Sequence, residues 1–331
     1  MNGALRSRLR VPRALADTQS NCDEEDPCDF AYQRLAFEIH PMKEIIILTL
    51  KIIAPIAVAL IVFAQGLKVS PSQVMVYFKE RPWLLLRSLI AVLVLVPAAA
   101  LAIILLLKPA QEVAVGLAIL VACPPAPLML KGAPKLGGGG AAFMASLHLS
   151  LAVLAFITVP ICLDLLSIPL GFNTEVDLVA MALILGRTIL VPIGLGLAVR
   201  SFFPTFADTV GPKLDKAGAI GLLIVVVFAL VALFPALLKM DPWSYLVMVA
   251  VCAVALAIGH GLGPRDPHDR TILAVESGVR HPVLALTIAA SNFTPQKALP
   301  VLVPCVFVFI ALAMVYLLWR KRSLARADAS P

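Results

Sequence analysis

Glu276-Ser277-Gly278-Val279-Arg280-His281-Pro282 interrupts two apolar runs, Thr271 to Val275 and Val283 to Ala290. Neither run reaches the roughly 20 residues that a membrane-spanning helix needs. If the whole segment spans a bilayer, the polar run therefore lies at membrane depth. A charged side chain at a helix centre costs roughly 2.5 to 3.5 kcal/mol on insertion scales, and this run carries Glu276, Arg280, His281 and the helix-breaking Pro282 together. Such a run persists only where protein or a water-filled cavity satisfies it.

Working outward, the chain of 331 residues is 60% hydrophobic and 14% charged, with a mean hydropathy of +0.96. That balance excludes a soluble globule and predicts an all-α polytopic membrane protein in a lipid bilayer. The net charge of +7 is no sign of nucleic acid, because the basic residues sit in short loops and the tail rather than on one stripe. Hydropathy predicts nine spans: Ile45 to Leu67, Leu84 to Leu107, Val113 to Leu130, Gly139 to Leu165, Leu178 to Val199, Ala217 to Leu238, Ser244 to Leu262, Thr271 to Phe293 and Ala298 to Trp319.

An odd number of spans puts the termini on opposite sides. Arg320, Lys321, Arg322 and Arg326 place the C-terminus in the cytoplasm by the positive-inside rule. The loops agree: those read as inner carry Lys68, Lys79, Arg81 and Arg87, then Lys131 and Lys135, then Arg200, Lys213 and Lys216, then Arg265 and Arg270. Those read as outer carry Lys108, then Glu175 and Asp177 without a base, then Lys239, then Lys297. The expected location is the cell (inner) membrane with the N-terminus outside.

Residues 1–43 read as a solvated extramembrane tail, basic from Arg6 to Arg13 and acidic from Asp23 to Asp26, with no apolar stretch of a secretory signal. Cys22 and Cys28 in that tail either pair in an oxidising compartment or stay free. Cys123, Cys162, Cys252 and Cys305 lie within apolar spans and read as small packing residues. Gly137 to Gly140 is not a phosphate-binding loop, since no GxxxxGK[ST] arrangement follows, and is read as a hinge or a close approach. There is no GxSxG, HExxH or paired CxxC, so no enzyme is expected, and no cofactor.

A second interruption is of the same kind. Cys123-Pro124-Pro125-Ala126-Pro127 places three prolines in the third span, where each removes a donor and clashes with the preceding turn. Dividing the chain into a first repeat over 44–165 and a second over 176–320, followed by a basic tail at 321–331, puts a broken span last but one in each half. Paired broken spans point to secondary transporters built from inverted repeats, whose sites form where discontinuous helices cross near the midplane.

Ala114-Val115-Gly116-Leu117-Ala118-Ile119-Leu120-Val121-Ala122-Cys123-Pro124, Glu276-x-Gly278, and Ala64-Gln65-Gly66-Leu67 followed by Phe78-Lys79-Glu80-Arg81-Pro82 together resemble the bile acid:sodium symporter family. The resemblance covers Ile45 to Trp319. It implies two inverted repeats forming a panel domain and a core domain with crossed discontinuous helices, here without the first of the family's ten spans. It also implies a site where the departures are informative. Met129 and Leu130 stand where the family has Ser-Asn, Met144 and His148 where it has Ser and Thr, and Arg280 and His281 where it has Gln and Asn. Of the side chains that would bind sodium, Glu276 is retained, and it is a metal ligand only if a sodium site survives.

Sodium needs several oxygen ligands, which methionine, leucine and arginine cannot supply. Arg280 is therefore expected to take the place of the ion and, four residues from Glu276, to pair with it if the backbone between them is helical. The pair is read either as part of a transport site or as a structural lock. His148 and His281 are read either as proton-coupling groups or as helix-to-helix hydrogen bonds. Lys131 reads either as an interfacial base or as a substrate ligand, and Lys51 as a side chain that snorkels outward. The expected site comprises Cys123, Pro124, Pro125, Met129, Leu130, His148, Glu276, Arg280 and His281, and its partner is a small organic anion. The alternatives are a sodium-coupled carrier using backbone ligands and a non-transporting sensor or scaffold on the same fold.

Overall fold

The computed structural model describes residues 52–68, 79–126, 141–172, 183, 186–292 and 295–328. Lys51, Pro127, Met129, Leu130, Lys131, Gly137 to Gly140, Cys22 and Cys28 lie outside them. Ten helices follow one another among the described residues: α1 (Ala54–Lys68), α2 (Pro82–Leu107), α3 (Gln111–Ala122), α4 (Ala141–Leu170), α5 (Val191–Phe202), α6 (Pro204–Lys239), α7 (Pro242–Gly261), α8 (Pro267–Gly278), α9 (Pro282–Asn292) and α10 (Pro295–Asp328). Two π-helical turns accompany them, Ala91–Leu95 inside α2 and Gly186–Leu190 ahead of α5.

Four of these segments are long and apolar enough to cross a membrane unaided: Pro82–Leu107, Ser146–Leu170, Pro242–Gly261 and Val301–Arg326. With Leu106 and Ile168 among the large apolar side chains left exposed, the chain is an integral, multi-pass membrane protein. Where the predicted spans fall on described residues they are helical, the third as far as Ala122 and the eighth divided between α8 and α9; one further difference lies in length. Helix α6 starts at Pro204, thirteen residues ahead of the hydropathy boundary at Ala217. Its first turns hold Thr205, Asp208, Lys213 and Asp215, so hydropathy leaves them out, but Pro204 at the first helical position suits a helix start. Lys68 then ties α1 to this polar turn through Asp215 at 2.7 Å.

Helix α1 packs on α5 and α6, while α2, α3, α7, α8, α9 and α10 pack among themselves. The first contact is set by paired glycines. A Cβ on Gly66 would meet the Ile193 carbonyl at 2.5 Å and the Gly196 Cα at 2.8 Å, so α1 and α5 touch backbone to backbone. Gly259 does the same for α7 and α8: a Cβ there would meet the Leu273 carbonyl at 2.5 Å. Small residues allow this in a membrane, where close van der Waals packing rather than exclusion of water drives helix association.

The polar start of α8 is pinned from two sides. Asp266 caps it, accepting from His268 N at 2.8 Å and Asp269 N at 3.0 Å. Arg320 of α10 donates to Thr271 Oγ1 at 3.0 Å and to the Pro267 carbonyl at 2.9 Å. Asp269, ahead of the span, is 4% exposed, and its Oδ1 has no hydrogen-bond partner. Burial, and then the charge of Asp266, push its carboxyl from 3.8 up to about 6, against the pull of Arg81 and His268. A carboxyl raised on folding favours the folded state below its unfolded value, and that contribution is lost as pH rises through about 6. Thermal midpoints in detergent are therefore expected to fall between pH 5 and pH 7, and Asp269→Asn to flatten that fall. An unchanged slope in the variant would assign it to another group.

Candidate functional site

Helix α3 stops at Ala122 because Pro124 disfavours helical backbone at the residue before it, and Cys123 is extended at φ −67 and ψ 148. Helix α8 stops at Gly278, and Val279 is likewise extended at φ −106 and ψ 118. The two extended stretches run antiparallel across one another, with Pro125 opposite Arg280. Ala126 N donates to the Val279 carbonyl at 3.2 Å, and His281 N to the Pro124 carbonyl at 2.9 Å. The bridge draws on the amide of Ala126 and the carbonyl of Pro124, so the missing N–H groups of Pro124 and Pro125 cost it nothing. The two interruptions meet, as their matched positions in the sequence predict.

Glu276, on the last turn of α8, is 3% exposed, and His148 of α4 is 6% exposed. His148 Nδ1 lies 3.3 Å from Glu276 Oε1 and 3.2 Å from Oε2. The two side chains share a hydrogen bond, in which His148 Nδ1 is assigned as the donor to the carboxyl oxygens. This overturns the expected Glu276 to Arg280 pair. The helix ends between the two residues, so a spacing of four no longer brings them to one face, and the carboxylate turns to α4 instead.

Arg280 is also buried, at 3% exposure. It donates from one terminal nitrogen to the Cys123 carbonyl at 3.2 Å and from the other to the Val92 carbonyl at 3.3 Å. The guanidinium thus ties the broken end of α3 to the π-helical turn of α2. A helix C-terminus carries partial negative charge, so a cation is well placed there. Arg280 Nε has no partner.

His281 lies at the start of α9. Leu284 N donates to its Nδ1 at 3.2 Å, which caps the helix through the amide of its third residue. Its Nε2 is buried without a partner. A cavity with room for about one water molecule is lined by His281, His148, Pro124, Pro125, Gln65 and Ile189, with Val62 and Ala152.

Of the site residues expected from sequence, Cys123, Pro124, Pro125, His148, Glu276, Arg280 and His281 gather at this crossing. Cys123 contributes its carbonyl, not its thiol. Met129 and Leu130 fall outside the described residues. Met144 is half-buried beside Leu85, Val92, Phe143 and Leu147. Sequence reasoning passed over Gln65 as a site residue, although a lone amide among the apolar residues of α1 was a usable signal, and it had no means of finding the Val92 carbonyl. Cys123, Cys162, Cys252 and Cys305 are free thiols, three of them buried, as their apolar surroundings predict.

Residues 55–258 match the model of the Sodium Bile acid symporter family. The chain is similar to the Probable sodium/metabolite cotransporter BASS2, chloroplastic, of Oryza sativa subsp. japonica, at 25% identity over 257 residues, which are 75% of this chain and 59% of that protein. It therefore spans about three-fifths of that relative's length. The family match ends before α8 and before the Glu276 to Pro282 run that leads from its last turn to α9. With residues 55–258 matched, well over half of its 331 residues, the chain belongs to the Sodium Bile acid symporter family.

Proposed function

We propose that the protein is a secondary transporter that moves a small organic anion by alternating access, with its substrate held at the crossing of α3 and α8–α9 and its sodium coupling weakened or lost. The observation that carries this reading is the antiparallel bridge between Pro125 and Arg280, which brings two interrupted helices together within apolar spans. The start of α9 adds positive potential for an anion. In this proposal the C-terminus is cytoplasmic and the N-terminus outside.

The ion argument follows from the donors present. Both oxygens of Glu276 face His148, and the carbonyls of Cys123 and Val92 accept from Arg280. A guanidinium held among these oxygens repels a second cation, and a hard ion such as sodium needs several oxygen ligands. This also weighs against a sodium site built from those backbone carbonyls.

The test is uptake by the purified protein in liposomes, across a panel of small organic anions, with sodium and proton gradients imposed separately on wild type and Arg280→Gln. Wild type is expected to accumulate an anion without a sodium gradient. Steep sodium dependence would sink the loss of coupling. No movement of any anion under either gradient would favour a scaffold.

A further inference from the structure

We propose that Arg87 of α2 holds the phosphate of an anionic phospholipid, so that the start of this span is a lipid-binding site. The inference stands on the membrane character of the chain and needs neither the transported substrate nor its coupling ion.

Trp83, Leu86, Arg87 and Ile90 stand at i, i+3, i+4 and i+7 within the regular helix Pro82–Ile90, a spacing that lines one face. Trp83 is 75% exposed, and Leu86 and Ile90 are exposed with it. They lie on a segment long and apolar enough to cross a membrane, so this face meets lipid. Leu85, on another face, belongs to the buried apolar cluster of Phe143, Leu147 and Ile272. An arginine on a lipid-facing stripe is costly unless its charge finds an anion or water. Arg87 stands roughly 7.5 Å along the axis from Pro82. The Cα–Cβ bonds of a helix tilt toward its N-terminus, which directs this side chain back toward Trp83 and the membrane surface. Tryptophan favours that level, where headgroups meet hydrocarbon.

The guanidinium has no protein partner to neutralise it. Its Nε is buried without one, and among the described residues Arg87 enters no hydrogen bond or ion pair. The residue as a whole is partly exposed, so the open edge of the group is that of its two terminal nitrogens. Two parallel N–H donors on a planar edge match two oxygens of a phosphate diester. Local charge selects an anionic lipid. Lys79 and Arg81 precede Arg87 against Glu80, and Arg81 is opposed by Asp269, which leaves Arg87 as the unopposed cation. A zwitterionic headgroup brings its own cation to the phosphate, and an anionic one does not.

The test uses the purified full chain in non-ionic detergent, with phosphatidylglycerol or phosphatidylcholine of the same acyl chains titrated in. Its readouts are the thermal midpoint and the lipid retained in native mass spectrometry. Phosphatidylglycerol is expected to raise the wild-type midpoint more than phosphatidylcholine, and soluble glycerol phosphate to leave it unchanged. Arg87→Gln should need at least tenfold more phosphatidylglycerol for half its effect, the loss of hydrogen bonds to a charged group. Its lipid-free midpoint should stay at that of wild type, since Arg87 makes no bond to the protein, whereas loss of a structural arginine would lower it. Arg87→Lys should fall between the two, because an ammonium keeps the charge without the fork.

Arg322→Gln, at the basic end of α10, controls for the general attraction of anionic lipid, which acts on every cation near the surface. The proposal is overturned if the two lipids act equally on wild type, if the Arg87 variants respond as wild type does, or if Arg322→Gln loses as much as Arg87→Gln. Glycerol phosphate acting as well as the lipid would overturn it too, assigning the site to free phosphate. Should Arg87→Gln not fold, Arg87→Lys decides by the same comparison.

Discussion

His148→Ala is expected to be the most damaging single substitution at the crossing, costing about 3–5 kcal/mol of stability and abolishing uptake. The change strips Glu276 of its buried partner at 3.2 Å and leaves a carboxylate among apolar helices. Glu276→Ala should cost less stability, because the imidazole left behind can remain neutral. The double variant should then lie close to Glu276→Ala rather than at the sum of the two, since no buried charge is left. Chemical denaturation of the four proteins in detergent measures this coupling as a double-mutant cycle. Costs that simply add would mean that the two side chains do not act as a pair.

Arg280→Met is the second large expected effect. Methionine matches much of the stem but leaves the Cys123 and Val92 carbonyls without donors, at about 1–3 kcal/mol for each buried group. The crossing also loses its fixed positive charge. Uptake of an anion should fall at least a hundredfold, with the half-saturating concentration raised. Arg280→Lys should be intermediate, since an ammonium keeps the charge without the planar fork that spans two acceptors. A methionine variant with wild-type affinity for its anion would mean that the guanidinium serves only to hold the helices together.

Both expectations depend on partners that were legible in unequal measure. The breaks themselves could be read directly. Pro124 and Pro125 cannot continue a helix, and Glu276 to Pro282 is too polar to face lipid, so local sterics and solvation were sufficient. That the breaks meet followed from their matching places in the two halves of the chain. The partner of Glu276 could not be read the same way. The spacing rule that joined it to Arg280 assumes unbroken helix, whereas Val279 is extended, so the rule failed at the interruption that made the residues conspicuous. His281 shows the same division: its place at a helix start is set by Pro282, but the capping role of its Nδ1 came only from the Leu284 amide.

The sequence by itself determined the class of the protein and the two places where helices stop, because hydropathy and proline act over single turns. Tertiary structure alone decided which groups meet there. His148 and Glu276 are 128 residues apart, and Arg280 and Cys123 are 157 apart. No local rule reaches that far: such pairs exist only once α3, α4 and α8 have packed around one crossing. The glutamate that a helical spacing assigned to Arg280 belongs to a histidine of another helix, and the arginine to the carbonyls of two broken or bulged ones.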